Sequence, residues 1–203
     1  MMQHRPGGFS ILPTVVKNLL IINVLLFIAT LVLDRFGVDL VNILGLHYFK
    51  SEMFEPYQIV TYMFMHGGVA HIFFNMFAVW MFGSAIENFW GPKRFLIFYL
   101  ITGFGAALIH YFIFYLEIRP ALDMINNFIS DPNHDRLHAF FSSNHFQIAS
   151  QEMANLYEKF RVEYNTLANQ GQMGQALDEA VIFMNDYKRM YLNAPVIVGA
   201  SGA

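Results

Sequence analysis

The stretch Met65-His66-Gly67-Gly68-Val69-Ala70-His71-Ile72-Phe73-Phe74-Asn75 decides how the rest of the chain is interpreted, and it leads directly into the apolar residues 76–83. His71 and Asn75 are four residues apart, so a helix places them one turn apart on one face. The helix is otherwise apolar enough to span a membrane, where an unsatisfied polar side chain costs roughly a few kcal/mol. The pair therefore indicates either a functional site or a polar contact between two helices.

Composition indicates a polytopic membrane protein. Of the 203 residues, 56% are hydrophobic and only 13% are charged, whereas a soluble domain has about 25% charged residues. The mean hydropathy is +0.40. The net charge of −3 gives no basic footprint for nucleic acid. The chain has no cysteine, which excludes disulfides, thiolate metal sites and a cysteine nucleophile.

Apolar segments predict three membrane spans and the start of a fourth. The first covers residues 14–33, about 30 Å of helix, and is interpreted as a retained span because no small-x-small cleavage site follows it. The second covers about 70–89 and the third 95–116, and Val196-Ile197-Val198 begins the fourth. The predicted fold class is an all-α polytopic helical bundle.

A polar insertion separates the third span from the fourth. The predicted domains are a tail at 1–13, three spans with their first loop at 14–116, the insertion at 117–193, and the fourth-span segment at 194–203. Apolar residues of 150–192 recur at helical spacing on both sides of Asn169-Gln170-Gly171, which predicts a helical hairpin. Its apolar face is interpreted as the core of the hairpin, with a lid over a membrane site as the alternative.

Basic residues predict the orientation of the chain. Arg5 and Lys17 precede the first span, and Lys93-Arg94 lies between the second and third. By the positive-inside rule these ends are cytoplasmic, in an inner or plasma membrane. The insertion is then extracytoplasmic, and His71 and Asn75 lie near the outer end of their helix, at the depth where the 194–203 segment returns.

The segment Gly199-Ala200-Ser201-Gly202-Ala203 places a serine among small residues. Serine hydrolysis needs an activated hydroxyl, a base, and donors that stabilise the developing oxyanion. Small neighbours let a substrate backbone approach Ser201, while His71 and Asn75 offer side-chain donors. The pattern differs from the Gly-x-Ser-x-Gly elbow of soluble hydrolases, because Ala203 takes the place of the second glycine. The alternative interpretation of Ser201 is a small residue at a helix contact.

The motifs resemble those of the rhomboid family of intramembrane serine proteases. The likeness begins at residues 56–68, continues through His71 and Asn75 to Tyr99, and resumes at residues 199–203. It covers about 14–116 and 194–203. The combination of His-x-x-x-Asn in the second span with Gly-x-Ser-Gly at the fourth is specific, although either motif alone is weak.

The resemblance implies six transmembrane helices around a water-filled cavity, and cleavage of membrane proteins within or beside their transmembrane segments. It implies no metal and no cofactor. Ser201 matches the nucleophile, while His71 and Asn75 match oxyanion-stabilising side chains. Four further residues match structural positions near the site: His66, Glu87, Gly199 and Gly202.

Two departures from the family pattern stand out. The family's base is a histidine on the sixth span in an Ala-His-x-x-Gly context, and the sequence ends at Ala203 without it. The sequence is therefore interpreted as a C-terminally truncated protease that is inactive alone, with its base expected beyond Ala203. The insertion at 117–193 is also longer than the loop expected there.

Other functions remain open. One is a non-catalytic, rhomboid-like scaffold in the lipid bilayer that binds transmembrane helices. A weaker one is a transporter or channel fragment with His71, Asn75 and Glu87 along its path. His134, Asp135 and His138 have helical metal-ligand spacing, but a solvated loop is favoured because no further ligand is evident.

Overall fold

Helices build almost the whole fold. The computed structural model describes residues 9–194 and 196–199, with only the backbone of Val196. The helices are α1 (Thr14–Asp34), α2 (Leu40–Leu44), α3 (Gln58–Thr61), α4 (Val69–Ala78), α5 (Ser84–Trp90), α6 (Pro92–Ser130), α7 (His134–Phe141), α8 (Gln151–Asn169) and α9 (Met173–Asn193). A 3₁₀ turn, Tyr62–Phe64, follows α3, and a π-helical turn, Val79–Gly83, joins α4 to α5. Two short strands, β1 (Leu46–His47) and β2 (Val196–Ile197), pair antiparallel.

Three helices are long and apolar enough to cross a membrane, which confirms the predicted all-α membrane fold. They are Thr14–Asp34, Val69–Trp90 and Pro92–Ser130, with 21, 22 and 39 residues. The first two match the predicted spans within one or two residues. The chain is thus an integral, multi-pass membrane protein.

Helix α6 continues well past Leu116, where the sequence predicted the third span to end. Residues Ile118, Ala121, Ile125 and Phe128 recur at helical spacing and are almost fully buried. Pro120 lies inside the helix without ending it. The composition changes from apolar to mixed at residue 117, but a change of solvent does not require a change of backbone conformation.

The chain divides into two compact units. The membrane unit consists of the described residues of Met1–His47, Met53–His110 and Val196–Ala203. The helical unit consists of Tyr48–Glu52 and the described residues of Tyr111–Pro195.

The helical unit has its own aromatic core. Phe160 and Phe183 stack with ring centroids 4.4 Å apart, which joins α8 to α9. Ile125, Phe128 and Phe140 are buried in the same cluster. The predicted hairpin is present, with its turn at residues 170–172 between Asn169 and Met173.

The start of the predicted fourth span differs from expectation. Val196 and Ile197 form strand β2 instead of a first helical turn, and they pair with His47 and Leu46 respectively. The backbone hydrogen bonds of an extended segment need an outside partner, and the edge of β1 supplies it. Residues 200–203 lie outside the described residues.

Candidate active site

Helix α4 presents the two polar side chains that the sequence singled out. It begins at Val69 after the Gly67-Gly68 pair, so His71 occupies the first turn and Asn75 the second. Asn75 is buried, whereas His71 is partly exposed. The two side chains follow one another along one face of the helix, as the four-residue spacing predicted.

His66 joins this pair from the segment before the helix. It is 2% exposed, and the amide Nδ2 of Asn75 lies 2.7 Å from its Nε2. When the amide donates, Nε2 of His66 is the acceptor, and the amide keeps a second hydrogen for another partner. The rings of His66 and His71 approach edge to face, with centroids 5.0 Å apart.

Burial keeps His66 uncharged. Desolvation lowers its pKa to about 4, with a smaller contribution in the same direction from the nearby His71 and an opposing one from a backbone interaction with Phe64. A neutral imidazole has one acceptor nitrogen, which agrees with the contact to Asn75. At neutral pH the His66 ring can therefore orient the Asn75 amide.

Gly199 brings the C-terminal segment against His71. Its N–H donates to the carbonyl oxygen of Tyr62 at 2.7 Å, and its φ is +83°. A β carbon at this position would lie 2.7 Å from Nε2 of His71. Two features require glycine at position 199. Its φ lies in the left-handed region, and the His71 imidazole occupies the space that a β carbon would need.

Gln58 fixes the loop that carries β1, and the sequence analysis did not single it out. Its Oε1 accepts from the backbone N–H groups of His47 at 3.3 Å and Glu55 at 3.1 Å. Its Nε2 donates to the carbonyls of Ile43 at 3.2 Å and Met53 at 3.0 Å. The sequence did offer one signal for this role, a single amide side chain next to an apolar segment. An amide buried in such a place needs hydrogen-bond partners, so it tends to join neighbouring backbone segments.

Glu87 lies at the other end of the second span and binds the first helix. Its carboxylate accepts from the N–H groups of Val15 at 2.9 Å and Val16 at 2.8 Å. These are unpaired donors in the first turn of α1, where the helix dipole favours a negative charge. Glu87 therefore joins two spans through a helix cap. Its hydrogen bonds to the described residues do not include one to His66 or His71.

A cavity of about 200 Å³ lies beside Asn75 in the membrane unit. Its polar lining includes the side chains of Asn75, Tyr99 and Thr102, and the remainder is mostly aromatic and aliphatic. The Tyr99 hydroxyl is buried and has no hydrogen-bond partner among the described residues. Polar atoms in such a space can hold a small polar group or water.

Two predicted site residues, Ser201 and Gly202, lie outside the described residues. The sequence analysis favoured a solvated loop for His134, Asp135 and His138. They lie instead on helix α7, where Nδ1 of His134 is 3.2 Å from the Tyr164 hydroxyl. Within residues 9–194 and 196–199, no three His, Asp or Glu side chains are grouped so that they could hold a metal ion.

Part of the chain is similar to a known protein family. Residues 53–118, about a third of the sequence, match the Rhomboid domain. This segment contains α4, its two polar side chains and His66.

Two curated rhomboid relatives align with a short part of the chain. RHOMBOID-like protein 6, mitochondrial, from Arabidopsis thaliana is 38% identical over 55 residues, 27% of this chain and 18% of the relative. Rhomboid protease GluP from Bacillus subtilis is 37% identical over 54 residues, 27% of this chain and 11% of the relative. The alignments thus span less than a fifth of either relative. No solved structure matches the chain.

Proposed function

We propose that this protein is an intramembrane serine endopeptidase that cleaves membrane proteins within or beside their transmembrane segments. Ser201 is the nucleophile, and its hydroxyl attacks the scissile carbonyl to form an acyl-enzyme that water then hydrolyses. His71, Asn75 and the Ser201 N–H stabilise the oxyanion. The match of residues 53–118 to the Rhomboid domain and the similarity to a named rhomboid protease support this reaction class.

The contact of Gly199 with His71 carries the proposal. The backbone of Gly199 lies directly against the His71 imidazole, since a β carbon on residue 199 would be 2.7 Å from Nε2 of His71. Two peptide units extend at most about 7 Å, so the chain itself limits how far Ser201 can lie from Gly199. The strand pair β1–β2 and the hydrogen bond from the Gly199 N–H to the Tyr62 carbonyl fix the position of residues 196–199.

The hydrogen bond from Asn75 to His66 supports the oxyanion role. Donors accelerate acyl transfer when they are fixed before the charge develops, because no reorganisation is then needed. His66 engages one Asn75 hydrogen and restricts the amide to one orientation. The remaining hydrogen is then available to the substrate oxygen. His66 thus acts as a positioning residue.

The proton acceptor is a histidine on a later span, set in the Ala-His-x-x-Gly context that the resemblance implies. None of the histidines in residues 1–203 has this context. We therefore expect residues 1–203 to show no turnover when produced alone. The proposed orientation places the N-terminus in the cytoplasm and residues 117–193 outside, in an inner or plasma membrane, as the basic residues predict.

The test is cleavage of a labelled transmembrane substrate by the protein as its gene encodes it, reconstituted in liposomes. We expect cleavage that Ser201→Ala abolishes and that Asn75→Ala reduces about 10²-fold or more in kcat. Asn88→Ala is the matched control, since Asn88 is an amide at the far end of the same span. Cleavage that survives Ser201→Ala would refute the proposal. Tight binding of the substrate without cleavage would favour the scaffold function instead.

A further inference from the structure

The helical unit contains a polar cavity of about 180 Å³ that plays no part in the proposed reaction. Two stretches of the chain line it, the segment Tyr48–Glu52 and the last turns of α9. Its lining includes the side chains of Lys50, Glu52, Lys188, Arg189, Leu192 and Asn193.

Hydrogen bonds fix the walls of this cavity. The Oδ1 atom of Asn193 accepts from the Ser51 hydroxyl at 2.8 Å and from the Glu52 N–H at 3.2 Å, which joins the two stretches. Lys188 donates to Oδ1 of Asn126 at 2.7 Å, and Arg189 lies 3.1 Å from Oδ1 of Asp186. An ammonium has three donor hydrogens and a guanidinium five, so both cations keep donors for a ligand.

The cavity is positively charged within a negatively charged region. Its lining has three cations, Lys50, Lys188 and Arg189, and one carboxylate, Glu52, which leaves +2. Residues 117–193 as a whole have 6 basic and 10 acidic side chains, which gives −4. The local positive potential of the clustered basic residues attracts an anion to the cavity, although the surrounding region is acidic.

The position in the chain favours an anion from the membrane. Lys50 follows β1 by three residues, and Asn193 precedes β2 by three. Three residues extend about 11 Å at most, and both strands belong to the membrane unit. Leu192 adds an apolar side chain next to the cations, as a lipid needs beside its headgroup.

We propose that this cavity binds the phosphate group of an anionic phospholipid. Lys50, Lys188 and Arg189 donate hydrogen bonds to the phosphate oxygens, and Leu192 contacts the glycerol and the first acyl carbons. The ligand chemistry is that of a phosphate, so free inorganic phosphate is the competing source. The site is independent of the serine protease function.

Native mass spectrometry of the full chain, released from bilayers of equal phosphatidylglycerol and phosphatidylcholine, tests the proposal. We expect the chain to retain phosphatidylglycerol in preference to phosphatidylcholine. Each of Lys50→Gln and Arg189→Gln should lower that retention about fivefold. Lys159→Gln is the matched control, because Lys159 is an exposed cation on α8 outside the cavity. Lys188→Arg keeps the charge and should retain the lipid.

Two comparisons use the unaltered chain and do not depend on how the variants fold: the preference between the two lipids, and the displacement of the lipid by phosphate. Equal retention of the two lipids by the unaltered chain would overturn the proposal. Equal losses of lipid in Lys159→Gln and in the cavity variants would also overturn it. Millimolar inorganic phosphate should not displace the lipid. If phosphate displaces the lipid from the unaltered chain but not from the cavity variants, the cavity binds phosphate and its ligand is free inorganic phosphate, which would overturn the assignment to a lipid.

Discussion

The membrane unit buries polar side chains beside apolar ones, whereas the helical unit buries apolar side chains almost exclusively. Of the eight polar side chains that are buried among the described residues, seven belong to the membrane unit and only Ser51 belongs to the helical unit. Large aromatic residues fill the core of the helical unit, whereas many aromatic residues of the membrane helices, such as Phe73, Phe82 and Phe89, are exposed. The difference reflects the surroundings, because lipid solvates apolar surface while water drives it inside.

Helix α6 contains both patterns in one continuous element. In its first part, which belongs to the membrane unit, Ile101 and Ile109 are more than 60% exposed. In its last part Ala121, Ile125 and Phe128 are fully buried, and the charged Arg119 and Asp123 are exposed. Packing in the membrane unit therefore combines polar contacts and small residues with apolar side chains, while the helical unit depends on apolar burial.

The largest expected effect comes from exchanging a core phenylalanine for alanine. Phe183→Ala removes a ring that is 2% exposed and stacked on Phe160, so we expect a loss of about 3–5 kcal/mol in the stability of the helical unit. Phe112→Ala is the matched control, at 64% exposure, and should change stability by less than about 1 kcal/mol. Urea unfolding in micelles, followed by near-UV circular dichroism, measures both. Equal losses would break the comparison.

Acid should weaken the membrane unit through His66. Its pKa is about 4 in the folded protein and about 6.5 once unfolding exposes the ring to water, so only the unfolded chain takes up a proton between these values. The contribution of His66 to stability should be constant well above pH 6.5 and should decrease by up to about 3 kcal/mol as the pH drops to 4. His66→Gln keeps an acceptor for Asn75 without titrating.

Unfolding free energies of the wild type and His66→Gln between pH 4 and 8 measure this effect. We expect the slope below pH 6.5 to be shallower in the variant, because the other histidines are common to both proteins. Parallel curves would show that His66 is charged or exposed in the folded protein.

Removal of a buried carboxylate should loosen the first span. Glu87→Ala leaves the N–H groups of Val15 and Val16 without acceptors, which we expect to cost about 2 kcal/mol. Hydrogen exchange at these two amides should accelerate. Ser84→Ala is the control, since Ser84 donates only one hydrogen bond, to Ile11. Unchanged exchange in Glu87→Ala would show that polar contacts do not hold the spans.

An exposed ion pair on α6 should contribute least. Arg119 and Asp123 are 3.7 Å apart, and their side chains are 61% and 62% exposed. Arg119→Ala should therefore change stability by less than about 0.5 kcal/mol. The same urea titration measures it, at low and high salt. A loss above about 1 kcal/mol would mean that charge pairs, and not only apolar burial, hold the helical unit.

The sequence predicted the first two spans and the hairpin well because each has a strong local pattern. Spans at 14–33 and 70–89 are uninterrupted apolar segments, and the hairpin at 150–192 shows helical periodicity. The strand pair was not predictable, since two residues give no periodicity and Val196-Ile197 suits a helix equally well. Helix α6 continues to Ser130, beyond the span predicted at 95–116, and this continuation was not predictable because hydropathy reports the solvent, not the backbone.

The site was predictable in its residue types but not in its contacts. The spacing of His71 and Asn75 follows from the helix. The hydrogen bond between Asn75 and His66 depends on how residues 65–68 turn, and the contact of Gly199 with His71 depends on pairing across about 130 residues of sequence. Long-range contacts of this kind leave no local signal.

Cysteine cross-linking tests the central claim, that Ser201 lies beside His71. The chain has no cysteine, so two substitutions give an unambiguous pair. Ser201→Cys with His71→Cys should form a disulfide on mild oxidation in membranes, because a disulfide needs Cα atoms within about 7 Å. Ser201→Cys with Phe73→Cys is the matched control, since Phe73 is on the opposite face of the same helix and is exposed. Mass spectrometry after alkylation should show efficient cross-linking of the first pair alone, whereas no cross-link in the first pair, or equal yields in both, would contradict the proposed active site.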